Sequence, residues 1–201
     1  MSNLTEPEIK ILDAAKKVFE SFGYGGARMQ QIADEAGISK ASLHYYFRSK
    51  EKLFDHIFDE TMAEFLPIIS TWGEEDSEDW EKKIRSFIKN LYSFFRTKSL
   101  LFILREINRN PELLYAKKKG KDKKNRFIPY FEKLRDAGKI KDIDIRFVYI
   151  LLHSMCAYPV INGTLFKMTL NTTDKEFDHM MEDYPDFVAD FLIQGIKKNK
   201  K

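Results

Sequence analysis

The sequence has a single cysteine, Cys156, so no disulfide framework is possible, and no CxxC or Cys/His cluster offers a structural zinc site. Glycine (9) and proline (6) are sparse in 201 residues, as in a helical protein. No Gly-rich phosphate loop and no paired-carboxylate arrangement stands out. The opening MSNLTEPEIK has acids and no apolar h-region, so it does not read as a secretory signal. Long uncharged runs are also missing, with one exception. Phe147–Phe166 is 20 residues without a formal charge, enough to span a bilayer, but it contains His153, Ser154, Pro159, Asn162 and Gly163. It reads as a buried or interfacial helix rather than a membrane span. The expectation is a soluble, cytoplasmic chain with no membrane partner, metal or cofactor.

Net charge is +3, and one segment accounts for it. Lys117–Arg126 holds seven basic residues and one acid, a local +6, and the rest of the chain sums to −3. That run could be a nucleic-acid patch, but the better reading is a solvated loop between helices. Basicity alone therefore argues weakly for nucleic acid.

What is present is helical spacing almost from end to end, so the expected fold is all-α. Thr5-Glu6-Pro7-Glu8 is a capping box with an early proline, and Ile9, Leu12, Ala15, Val18, Phe19 and Phe22 make the first apolar face, stopped at Gly23. Short helices are predicted at about 29–36 and 40–47. A longer one should run from after Ser49 towards Trp72, bent near Pro67, with the acidic run 74–79 as a loop or cap. Further on, Trp80 to Phe95 makes a stripe, Leu100–Leu104 a short buried helix, and Phe127–Leu134 a helix ended by Gly138. The last two are placed at about 144–167 and 183–198.

Gly23–Phe54 carries the functional signal. Two short helices, small residues where they cross, and a turn holding Gly37 make a helix-turn-helix, with Ser39 placed to cap the second helix. That second helix enters the major groove in this motif, its first residues nearest the bases. Here these are Lys40, Ala41 and Ser42. His44, Tyr45 and Tyr46 follow, then Arg48, Lys50 and Lys52, groups suited to phosphate oxygens.

The segment resembles the DNA-binding domain of TetR-family transcriptional regulators. The matching residues are Phe19, Gly23, Tyr24, Ile32, Ala33, Ala36, Gly37, Ile38, Ser39, Lys40, Leu43, Tyr45, Phe47, Lys50 and Leu53. The likeness covers about residues 7–55; beyond that, only length and helical character agree. Three departures stand out. Ala27-Arg28 replaces the usual Thr or Ser before the second helix, His44 replaces the first tyrosine of a Tyr-Tyr pair, and alanine occupies the small position 41. The expected DNA contacts are Arg28, Gln30, Ser39, Lys40, Ala41, Ser42, His44, Tyr45, Tyr46 and Lys50.

The resemblance implies a helix-turn-helix domain at 1–50 and a helical effector-binding and dimerisation domain at 51–201. It implies a homodimer on a palindromic operator, usually a repressor, released by a small molecule. The final two helices would form the dimer, with Phe187, Phe191, Leu192 and Ile196 as interface residues. Phe87, Phe94, Phe102, Phe131, Tyr149, Met155 and Tyr158 are the candidate effector contacts. This aromatic interior suits a hydrophobic or aromatic ligand and would equally suit a filled core. The rival readings are a helical enzyme and a protein-interaction module. Catalysis is not expected. Cys156 follows His153 by three residues, but no third member is evident. His179 with Glu182 and Asp183 resembles a solvated helix end rather than a metal site.

Overall fold

The computed structural model describes residues 4–70, 79–109, 111 and 126–198. Among these the chain forms ten helices and no strand. They are α1 (Glu6–Gly26), α2 (Met29–Ala36), α3 (Lys40–Tyr46), α4 (Lys50–Ser70), α5 (Trp80–Phe95), α6 (Lys98–Arg109), α7 (Phe127–Asp136), α8 (Ile145–Ile161), α9 (Gly163–Leu170) and α10 (Asp174–Ile196). Trp72, the acidic run before Asp79, and Lys117–Asn125 lie outside the described residues.

The chain divides into two compact units. One takes the chain up to Glu64 and again from Thr97 through α6; the other takes Phe65–Arg96 and the chain from α7 onward. In the first unit α1 starts as its sequence predicts. The Thr5 N–H donates to the Glu8 carboxylate at 2.8 Å, and this bond holds that carboxylate below its usual range. The helix is interrupted at Gly23 (φ +68°) but resumes for one further turn to Gly26, so Gly23 kinks it rather than ending it. Ile11, Phe19, Ile32, Leu43, Phe47, Leu53 and Ile57 share one core with Phe102 and Ile103 of α6. Phe102 stacks on Phe19 at 5.1 Å and meets Phe54 edge-on at 5.6 Å. The sequence expectation of a five-residue buried helix at 100–104 was too short, because Glu106 extends the buried face by a turn.

In the second unit α5 buries Ile84, Phe87, Ile88, Leu91 and Phe94, and α10 buries Val188, Ala189, Leu192, Ile193 and Ile196. These two helices pack together and carry the ion pairs Lys89–Asp186, at 2.8 Å, and Arg85–Asp190. Two boundaries differ from expectation. The predicted helix at 144–167 breaks at Asn162 into α8 and α9, bent by 76°. Pro159 lacks the N–H that would reach the Met155 carbonyl, and the Tyr184 hydroxyl donates to that carbonyl instead, at 3.1 Å. The last helix begins well before 183, at a capping box in which the Thr173 N–H donates to Glu176 at 2.7 Å. It continues through Pro185. No single described helix is long and apolar enough to cross a membrane.

Candidate nucleic-acid interface

The turn between α2 and α3 is built by hydrogen bonds that require a left-handed residue. Gly37 sits at φ 65°, ψ 35°, its N–H donating to the Asp34 carbonyl at 3.1 Å, while the Ile38 N–H reaches Ala33 at 3.0 Å. That pair is a Schellman ending. The space beside Gly37 is open, the nearest atom to an added Cβ being Lys10 Nζ at 3.8 Å, so the demand for glycine is conformational and not steric. Ser39 Oγ then accepts the Ser42 N–H at 3.0 Å and starts α3.

Within α3 only Leu43 is buried, and Phe47 anchors the residue after it. Lys40, Ala41, Ser42, His44, Tyr45 and Tyr46 are all exposed together on the remaining faces. Tyr45 is 82% exposed and touches Tyr46 edge-on at 5.2 Å. An aromatic ring so exposed contributes nothing to the core.

The flanking residues are partly engaged. Arg28 is exposed at the start of α2, and its N–H donates to Gln31 Oε1 at 2.8 Å. Gln31 therefore makes only the reciprocal half of a capping box, and no side chain at 28 accepts the helix N–H that a Thr or Ser would have capped. Gln30 Nε2 donates to Asp34 at 2.8 Å, and His44 Nδ1 donates to the Arg48 carbonyl at 3.2 Å. Lys50 differs from the simple phosphate ligand the sequence suggests. Its ammonium donates to the carbonyls of Tyr24 at 2.7 Å and Ala27 at 3.1 Å, and lies 4.5 Å over the Tyr24 ring. Two of its three protons hold the end of α1, leaving one for a phosphate. The Tyr24 hydroxyl donates to Glu51 at 3.1 Å, and burial, then Glu51, push its pKa up to about 12.

Sequence reasoning missed Glu106. Its side chain is nearly fully buried, and Oε1 accepts the Tyr24 N–H at 3.2 Å, just past the Gly23 kink. The only available signal was one acid inside an apolar helix stripe. From the far side of the unit it braces the backbone that Lys50 also holds.

Residues 11–57 match the family model described as bacterial regulatory proteins, tetR family. The chain is 25% identical over 197 residues to the HTH-type transcriptional repressor NicS of Pseudomonas putida, covering 94% of this chain and 91% of that one. It is 40% identical over 65 residues to the HTH-type transcriptional regulator RutR of Escherichia coli, about a third of each chain. The helix-turn-helix segment, residues 11–57, is that of the TetR family. Among solved structures, FadR of Bacillus subtilis in complex with stearoyl-CoA superposes with a TM-score of 0.60 at 20% identity, covering 94% of this chain and 98% of that one. At that identity the likeness is one of fold.

The other site residues divide unevenly. Phe87, Phe94 and Phe131 are buried in the second unit, with Tyr149 half-buried beside them and Met155 partly exposed. Phe102 is not with them, since it stacks on Phe19 in the first unit. Tyr158 is 52% exposed against Phe166, so it does not line an interior. Phe187 and Phe191 are exposed, as an interface needs, whereas Leu192 and Ile196 face their own chain's core. Burial pushes the Cys156 thiol up to about 12, and His153 Nδ1 is engaged by the Tyr149 carbonyl, so the pair does not form a thiolate–imidazole couple. His179 is exposed and paired with Glu182 at 3.1 Å.

The engagement of Lys50 gives a first expected outcome. Lys50→Ala should lower stability by about 1–2 kcal/mol, through two lost charge-assisted bonds at a half-buried site. A thermal melt of the full chain should fall by about 3–6 °C. The slope of log affinity against log salt should also flatten, by up to the roughly two units that one phosphate contact per half-site gives. An unchanged melt with a two-unit slope change would return Lys50 to phosphate binding alone.

Proposed function

We propose that the chain is a repressor that binds a palindromic operator as a homodimer and is released by a small hydrophobic or aromatic effector. The observation that carries it is the outward face of α3, where Lys40 to Tyr46 stand exposed on a capped helix-turn-helix. Lys40, Ala41 and Ser42 occupy its first turn, the part that reaches base edges. Arg28, Gln30, Ser39, His44, Tyr45, Tyr46 and the remaining proton of Lys50 are assigned to phosphate and groove contacts. NicS, named a repressor, supports the direction of control, and the stearoyl-CoA complex of FadR supports small-molecule effectors on this fold. Residues 1–50 would read DNA in the cytoplasm, and 51–201 would take the effector and the second copy.

Two-fold symmetry fits the reading, because two recognition helices about 34–36 Å apart address half-sites one DNA turn apart. The effector acts by binding better to a conformer in which that spacing is wrong.

Selection of bound sequences from random duplex DNA tests the reading, and a palindrome is expected. Recovery of no sequence, or salt-independent binding, would favour protein interaction instead. On the selected operator, Lys40→Ala should cost about 1–3 kcal/mol at one base position per half-site. Its affinity for scrambled duplex should fall far less. Competition titrations at several salt concentrations measure both. An unchanged ratio of the two affinities would assign Lys40 to the phosphates.

A further inference from the structure

The second unit holds a buried hydrogen-bond acceptor with no donor among the described residues. His153 Nδ1 lies 2.8 Å from the Tyr149 carbonyl oxygen. A carbonyl only accepts, so the neutral ring carries its hydrogen on Nδ1 and a lone pair on Nε2. Nε2 is buried and has no hydrogen-bond partner among the described residues. Such atoms are uncommon in folded proteins and call for an explanation. Burial also lowers the basicity of the ring, which keeps that lone pair free at neutral pH.

The surroundings are aromatic. The Tyr149 ring packs on the imidazole at 4.1 Å, and Phe127 meets Tyr149 edge-on at 5.1 Å. Phe131 stacks on Phe127 at 4.3 Å. Cys156, on the next turn, stays a thiol and places no charge beside the ring.

We propose that His153 Nε2 is the polar anchor of the effector site, accepting a hydrogen bond from a hydroxyl or N–H on an otherwise aromatic small molecule. The proposal rests on the effector-released reading above and narrows its ligand class. A carboxylate would meet the lone pair with like polarity and is disfavoured. An apolar ring without a donor would leave Nε2 as unsatisfied as it is now.

Three matched probes test this on the full chain: 2-naphthol, 2-methoxynaphthalene and 2-naphthoate. Calorimetric titration should show 2-naphthol binding about five- to tenfold tighter than the other two, the value of one hydrogen bond. His153→Phe keeps a ring and should abolish the preference while leaving the methoxy compound's affinity within about twofold. His153→Gln, which keeps an acceptor, should retain part of it, and thermal melts confirm that both variants fold. In spectra of nitrogen-15-labelled histidine, the His153 Nε2 resonance should move with 2-naphthol and stay put with 2-methoxynaphthalene. Equal binding of the probes, no binding of any, tighter 2-naphthoate, or a preference that survives His153→Phe would overturn the assignment. Operator selection fails independently. No selected operator with an intact naphthol preference would sink regulation and spare His153, and the reverse pair of results would spare regulation.

Discussion

Phe187→Asp combined with Phe191→Asp is expected to turn the proposed dimer into folded monomers. The two rings are 65% and 58% exposed in the single chain and stack at 6.3 Å, one helical turn apart on α10. On α8, Phe147, Ile150, Leu151, Tyr158 and Ile161 form a second exposed stripe at helical spacing. The opposite stripe of α8, namely Ile145, Val148, Leu152, Cys156 and Pro159, is already buried. A helix apolar on both sides needs a second cover, which the second copy of the proposed dimer would supply. Fully burying such a ring contributes about 1.5–3 kcal/mol, and symmetry counts each ring twice, so four rings that are about three-fifths exposed contribute roughly 4–7 kcal/mol. Their loss raises the dissociation constant by about four orders of magnitude, before any cost of desolvating the new carboxylates. Sedimentation should give a species of 23.7 kDa in place of twice that, with helical circular dichroism unchanged. Operator affinity should collapse with it, because each half-site is then bound alone. A double variant that still sediments at twice the chain mass would move the interface elsewhere.

Leu192→Asp, one residue along, should instead unfold the second unit. Leu192 is 3% exposed in the single chain, on the face of α10 packed against α5. Truncating a buried leucine alone costs about 2–5 kcal/mol, and an unpaired buried carboxylate adds several more. The sum rivals the whole stability of an ordinary domain, about 5–15 kcal/mol. The expected signs are loss of a cooperative thermal transition and poor solubility, rather than a clean shift from dimer to monomer. A well-folded monomer from Leu192→Asp would place this residue in the interface after all.

The pair 191 and 192 shows where sequence reading stops. Both are apolar and sit in one stripe, so periodicity marks them alike. Which neighbour each faces depends on where α5 lies, and no local pattern encodes that position. The same holds for Phe102. Its composition suggested an effector contact, while its stacking on Phe19 makes it part of the helix-turn-helix core.

By itself the sequence determined the all-helical class, the helix-turn-helix at its correct residues, the cap at Ser39 and the left-handed turn at Gly37. All of these rest on interactions spanning a few residues: apolar spacing, one side chain reaching one backbone N–H, one residue tolerant of positive φ. Tertiary structure alone decided the rest. It turned Lys50 from a free cation into a clasp on the end of α1, and buried Glu106 against Tyr24 from 82 residues away. It broke the helix at Asn162 and left His153 with a lone pair facing no donor among the described residues. Each of those outcomes depends on which distant groups meet. Contacts of that kind are set by how whole helices pack, and a periodic stripe records only that a helix has an apolar side.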